Sequence, residues 1–468
     1  MDKTTREKER EFFEAERKRV PHLFEREPMV DSFEFQKWIG IEVFPDTLPL
    51  GYLRLMPQDF IVEEVARDGT VHTVDVDPSP ATSFEGKTVY ADLVKIGIST
   101  LEAQSQIAEA LSLQPQSIGF AGIKDRLALT SQAISIRDAA EADILKVQAD
   151  NFFLKNIHQG KGALANGDLQ GNRFTIVLRL QRPPSEKEVL KTHETLKQIK
   201  EEGFWNFFSF QRFGTPRLLS HKLGLRIIKG EFEEAVKMFL VHQSLRELPY
   251  FKHIREEMEK QWGNWEGMKT LLSPFPAHFP IELQFVEHLL GNPKDFLGAL
   301  HTVPDQVRLW VYAYDSYLFN RKLSQFIKGG EVPINLPLLT SFSPRDWEPY
   351  KEFLEEDSVD IPSKYYKKFP FIRVASRTWP VLQRVEIHNI AFQDNFVLFA
   401  FSLPKGTYAT TLLMNFFTLA SGLPIIPGIT NKEIDAKALL GLGSTQATLE
   451  RFKTVLELRE QDISGEFE

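Results

Sequence analysis

The sequence predicts an α+β chain. Strand-like alternation clusters before about residue 214 and returns after about residue 384, while the stretch between reads as helices broken by Pro-containing loops. The chain has 468 residues and is 42% hydrophobic, enough for two or three domains with real cores.

Composition removes several classes of chemistry. There is no cysteine, which rules out disulfides, thiolate zinc sites and a cysteine nucleophile. The eleven histidines show no HExxH or similar spacing, so no metal site is expected. No run of eighteen apolar residues occurs and the N-terminus is densely charged, so a soluble, cytoplasmic protein without a membrane partner is expected. The net charge of −8 argues against a basic nucleic-acid coat. An RNA enzyme needs only one locally positive face, so this acidity does not exclude one.

In chain order, residues 1–20 interleave acids and bases at helical spacing and read as an exposed helix, part of a charged, solvated arm over 1–40. Leu53–Val65 reads as a strand broken by a Pro-led turn and resumed at Phe60, a core residue by its position. Thr88–Ile98 is a strand containing Lys95. A helix follows from Ser99 to about Leu113, begun by the Ser99/Glu102 capping box, with Leu101, Ile107, Ala108 and Leu111 near one face.

The stretch Gly119–Gln132, GFAGIKDRLALTSQ, joins small turn residues to one carboxylate, Asp125, between Lys124 and Arg126. Flanking positive charge favours the ionised form a nucleophile needs. The turn reads as an active-site loop or as a solvated surface turn. Asn166–Leu180 gives a turn and a strand whose apolar face is Phe174, Ile176, Leu178 and Leu180, with Arg179 on the other side. Arg173 and Arg179 read as phosphate contacts or as solvated surface arginines. Gly203–Gly214, GFWNFFSFQRFG, is either a base-stacking pocket or a buried aromatic cluster. Val307, Val311, Tyr314 and Leu318 mark one helix face after Pro304, and strands resume at Val385–Ile390 and Asn395–Phe401. No GxxxxGK[ST] motif occurs, so a Walker-type phosphate loop is excluded.

Five separated motifs, in one order over roughly residues 50–420, resemble those of the TruD family of tRNA pseudouridine synthases. The Asp125 loop matches AGxKDxxAxTxQ. Residues 57–64 are similar to PEDFxVxE with Gln58 for Glu, and residues 167–179 to GDLKGNxFxIxxR. Residues 205–214 resemble PNYFGxQRFG with Phe207 for Tyr and Ser209 for Gly. Residues 403–415 resemble LPxGxYATxxLRE, with Met414 and Asn415 for Arg and Glu. The piece AYDSYLFNRKL resembles a helix of the domain this family inserts into its core.

The resemblance implies a pseudouridine synthase-like core with a mixed, largely antiparallel sheet, over 41–214 and 384–468, and an inserted α/β TRUD domain over 215–383. It implies isomerisation of uridine to pseudouridine, at position 13 of tRNA, with Asp125 as nucleophile and without a cofactor. Phe60, Asn206, Phe208 and Tyr408 become contacts to the flipped nucleotide. Lys124 and Arg126 would keep Asp125 ionised and hold phosphates. A monomer is expected. Two rivals stand beside this reading. One is a glycan or nucleoside hydrolase pairing Asp125 with Glu63 or Glu64. The other is a non-catalytic RNA-binding protein or RNA chaperone on the same fold.

Overall fold

A computed structural model describes residues 3–44, 47–77 and 86–456. They form two compact units, one of Leu48–Phe204 with the chain from Gln383 onward, the other of the chain up to Thr47 with Trp205–Leu382. The class is α+β.

The first unit is built on a sheet of β1 (Leu50–Leu53), β2 (Phe60–Ala66), β3 (Thr88–Ile96), β4 (Ile118–Phe120), β5 (Leu129–Arg137), β6 (Phe152–Gly160), β7 (Leu169–Arg179), β8 (Glu386–Gln393), β9 (Phe396–Pro404) and β10 (Thr418–Ser421). They run in the order β10-β1-β7-β2-β5-β3-β6, with β9 also on β7, β8 on β9 and β4 on β5. The β2–β5 and β1–β10 pairs are parallel. The other pairs among these strands are antiparallel, so the sheet is mixed and largely antiparallel.

Residues opposite in register share a face. Lys95, Thr130, Val62, Phe174 and Phe401 form one such row on the front. Val94, Ser131, Glu63, Arg173 and Ser402 form the next row, on the back. The back is covered by the C-terminal segment: Ile61, Val94 and Leu129 pack with Leu449 and Phe452, and Val177, Leu398 and Ala400 with Ile434, Ala436 and Leu440. Part of the front is covered by the helix Thr100–Ala110, whose Ala103, Ile107 and Ala108 meet Ala91, Leu93 and Ile134. Ser99 caps that helix as expected, its Oγ accepting from the Glu102 N–H. Leu101 faces outward instead, half exposed.

Because the back is covered, Arg179 does not reach solvent. It is fully buried and grips Asp59 with Nε and Nη2 at 2.8 and 2.7 Å, while Nη1 donates to the carbonyls of Thr430 and Lys432. A strand alternating apolar and polar residues reads as half-solvated, and nothing local in its sequence announces a second layer. The phosphate role expected for Arg179 is therefore replaced by a structural one.

The second unit is helical, with one long helix, Pro304–Lys328, and a small ladder pairing Asn335–Pro337 with Thr378–Pro380. Val307, Val311, Tyr314 and Leu318 are all in its core. Its boundary falls at Trp205, ten residues before the expected one, because the aromatic segment is bonded to and packed on the long helix. The Phe208 N–H donates to Asn320 Oδ1, and Asn320 Nδ2 donates to the Phe208 carbonyl.

The N-terminal helix exists, over Lys3–Arg19, yet it is not a free solvated arm. Phe13 is 1% exposed in the helical core, and Glu9 accepts hydrogen bonds from the N–H groups of Ala277 and His278. The dense charge of the segment hid one inward stripe.

Candidate active site

Leu53 at the end of β1 and Phe60 at the start of β2 meet β7 only two residues apart, at Leu178 and Ile176. The six residues between them therefore leave the sheet as a loop. It opens on Arg54, held in the left-handed region at φ 59°. From there Arg54 Nη2 donates to Asp125 Oδ2 at 2.8 Å, and its guanidinium lies 4.0 Å from the centre of the Phe60 ring. The Asp125 side chain is 24% exposed, so it is both paired and reachable.

The loop bearing Asp125 is fixed from beneath by side chains of the sheet and the neighbouring helix. Thr100 Oγ accepts from the Lys124 N–H at 2.9 Å and donates to Gln132 Oε1, while Gln132 Nε2 donates to the Gly122 carbonyl. Lys95 is fully buried and its Nζ donates to the carbonyls of Asp125 and Ile98, each at 2.8 Å, and to that of Lys124 at 3.4 Å. Burial pushes the Lys95 ammonium down to about 7, although the nearby Asp125 charge favours it.

The two cations expected to flank Asp125 turn elsewhere. Lys124 Nζ is 2.6 Å from Glu64 and donates to Asn172 Oδ1 at 2.8 Å, and its side chain is only 4% exposed. It is not open to a phosphate, so that expectation is corrected. Lys124 turns down to the sheet while Ile123 before it stands exposed. Arg126 is partly exposed and lies 3.9 Å from Glu102. Glu64 is held by Lys124 and accepts the Ala133 N–H, and Glu63 accepts from Lys437 and from the Val74 N–H. Neither glutamate is a second accessible acid, which removes the basis of the hydrolase reading.

Phe60 is 2% exposed, edge-on to Phe174, which stacks on Phe401. It is a core residue that also supports Arg54. Tyr408 is half-buried and directly precedes the helix Ala409–Leu413. Its segment and the Asp125 loop share one turn: the Gly167 N–H donates to the Ala121 carbonyl, and Lys405 Nζ donates to the Gly167 carbonyl. Met414 is buried, and Asn415 Nδ2 donates to the carbonyls of Thr411 and Leu412, closing the helix.

Asn206 and Phe208 lie in the helical unit. Asn206 Nδ2 donates to the Pro380 carbonyl and its N–H to that of Val381. Phe208 is buried, stacked on Trp379 with centroids 5.6 Å apart and edge-on to Phe319. Ser209 has φ −80°, ordinary extended backbone, so the missing glycine costs the loop nothing. Gly214 does sit at φ 78°, where an added Cβ would meet Ser220 Oγ at 2.6 Å.

Two residues escaped the sequence reading as parts of the site: Arg54, seventy-one positions from Asp125, and Lys95, seen only as a strand residue. A lysine in line with Ala91 and Leu93 on the apolar face of β3 was the available signal for the second.

The comparisons with known proteins agree with this architecture. Residues 45–339 match the family model described as tRNA pseudouridine synthase D (TruD). A protein of that name from Methanopyrus kandleri is 32% identical over 342 residues, 69% of this chain and 83% of that one. Another from Methanosarcina acetivorans is 31% identical over 82% of this chain and 96% of that one. A crystal structure titled as a tRNA pseudouridine synthase D (TruD) of Methanosarcina mazei superposes with a TM-score of 0.63 at 26% identity, covering 83% of this chain and 98% of that one. The fold and the relatives define the class as an isomerase, a pseudouridine synthase. The chain belongs to the TruD family.

Proposed function

We propose that this protein converts uridine to pseudouridine in tRNA, at position 13, with Asp125 as the nucleophile. The observation that supports this most is the Asp125 carboxylate, charge-paired to Arg54 yet partly open, on a loop braced from below. The target position rests on the family resemblance.

The chemistry needs one carboxylate and no redox step. The uridine leaves its stack, since its reacting atoms are otherwise shielded. Asp125 attacks C1′ of the ribose or C6 of the uracil, and the N1–C1′ bond breaks. The base stays in the site, rotates, and rejoins C1′ through C5. The C5 proton is then lost and N1 carries a proton, so the product is an isomer of the substrate. Arg54 holds the carboxylate on line and offsets charge as it forms and leaves the covalent state. Among the described residues no group of three or more acidic or imidazole ligands could hold a metal ion.

Within this reading the sheet unit is the catalytic core and Trp205–Leu382 is the inserted TRUD domain. Tyr408 recognises the flipped nucleotide, while Asn206 and Phe208, both buried, shape the segment of the helical unit that carries them. Phe60 acts through Arg54, and Arg126 meets phosphate.

The test is Asp125→Asn. The amide keeps shape and loses nucleophilicity, so product should vanish while tRNA binding persists. Retained turnover in the purified variant would overturn the assignment. Wild-type activity should also survive excess chelator.

A further inference from the structure

Beneath the Asp125 loop lies a charge the mechanism above does not use. Lys95 projects from the front of β3, opposite Thr130 of β5, and its side chain is completely enclosed. Buried ammonium groups are costly unless paired or fully hydrogen-bonded. No carboxylate oxygen is within ion-pair distance of Lys95 among the described contacts. Its Nζ instead faces three backbone carbonyls: Ile98 and Asp125 at 2.8 Å and Lys124 at 3.4 Å. An ammonium has three N–H donors, so the charged form can serve all three acceptors, whereas a neutral amine has only two.

Two of those carbonyls belong to the nucleophile and its chain neighbour. The opposite side of the same peptide run is held by Thr100, which accepts the Lys124 N–H, and by the Lys124 side chain on Glu64 and Asn172. With the carbonyl and amide sides both anchored, the Asp125 side chain leaves a fixed backbone toward Arg54.

We propose that Lys95 is a positioning residue for the isomerisation: its ammonium clamps the carbonyls of Ile98, Lys124 and Asp125, and so sets the line along which the Asp125 carboxylate reaches the substrate. The proposal rests on Asp125 being the nucleophile.

The charge is also functional in its own right. Its field falls on Asp125; Asp125 and, at the helix start, Glu102 favour the charged form of Lys95, while Lys124 and Arg126 of the loop oppose it. Burial brings the titration of Lys95 to about 7, inside the working range of an enzyme. As Lys95 loses its proton, one carbonyl loses its donor and the positive potential behind Asp125 disappears. The rate of the chemical step then falls on the alkaline side of neutrality, with substrate affinity unaffected.

The experiment measures single-turnover rate and tRNA affinity from pH 5.5 to 9 for the wild-type chain, Lys95→Met and Asp125→Asn. The wild type should show a loss of rate centred near pH 7. Lys95→Met should be slower by tenfold or more at pH 6.5, with tRNA affinity within threefold and with that pH transition absent. Asp125→Asn should make no product at any pH, and product from it would show that the nucleophile is misassigned, separately from anything learned about Lys95. A Lys95→Met enzyme with wild-type rate, or one that keeps the same transition, would overturn the proposal. Should Lys95→Met not fold, Lys95→Gln takes its place: a single-turnover rate lowered tenfold or more with tRNA affinity within threefold supports the clamp, and a wild-type rate contradicts it.

Discussion

Arg54 and Asp125 are the pair on which the proposed chemistry turns, and the counter-charge of Asp125 comes from seventy-one positions away instead of from its sequence neighbours. The 2.8 Å bond between them is charge-assisted, of a kind whose loss costs about 1.5–3 kcal/mol. Arg54→Met should therefore slow the chemical step about 10- to 150-fold, as single-turnover kinetics on saturating tRNA would show. Arg54→Lys should retain more activity than Arg54→Met; equal losses would mean that the guanidinium serves Phe60 and not the carboxylate. Phe60→Ala should combine a core loss of about 3–5 kcal/mol with slower chemistry, because Arg54 would lose the ring it rests on. Sequence alone reached Asp125 because a family motif surrounds it. It could not reach Arg54, which becomes a partner only when β1 and β2 meet β7 two residues apart and eject the loop between them.

At the scale of elements, the Lys124–Glu64 pair separates a structural lysine from a phosphate-binding one. Lys124 is enclosed between a strand glutamate and Asn172. Glu64→Gln should destabilise the protein by about 3–5 kcal/mol by leaving a buried cation without its counter-charge, measurable by denaturant unfolding. Lys124→Ala should leave the salt dependence of tRNA binding unchanged, whereas loss of a phosphate contact lowers that slope by roughly one. A reduced slope for Lys124→Ala would restore the phosphate role. The N-terminal helix gives a parallel case: Phe13→Ala should cost about 3–5 kcal/mol, a loss a solvated arm would not feel. Periodicity revealed most of the elements: the interrupted strand before Phe60, the capped helix after Ser99, the four core positions after Pro304. What it could not reveal was cover. Arg179 looks surface-bound because it is a charge on the alternate face of its strand, and Phe13 because its helix is densely charged; only the C-terminal segment and the helical core enclose them.

For the whole molecule, acid stability follows from a histidine enclosed in the helical unit. His221 is buried, stacked on Tyr317 and edge-on to Phe213, and burial pushes it down to about 3. The unfolded chain binds this proton from about pH 6.5 downward and the folded chain does not until about 3. The stability His221 confers is thus full above 6.5 and falls by about 1.4 kcal/mol per pH unit as pH drops through that window. His221→Phe should remove this component, and unfolding curves at pH 7, 6 and 5 that fall equally for both proteins would contradict it. Among the described residues no helix is long and apolar enough to cross a membrane. The central claim concerns what the molecule makes. Incubating pure protein with unmodified tRNA and mapping pseudouridine at single-nucleotide resolution tests it most directly: pseudouridine at position 13 with the wild type and none with Asp125→Asn is the predicted result, and pseudouridine at position 13 made by Asp125→Asn, or none made by the wild type, would contradict it.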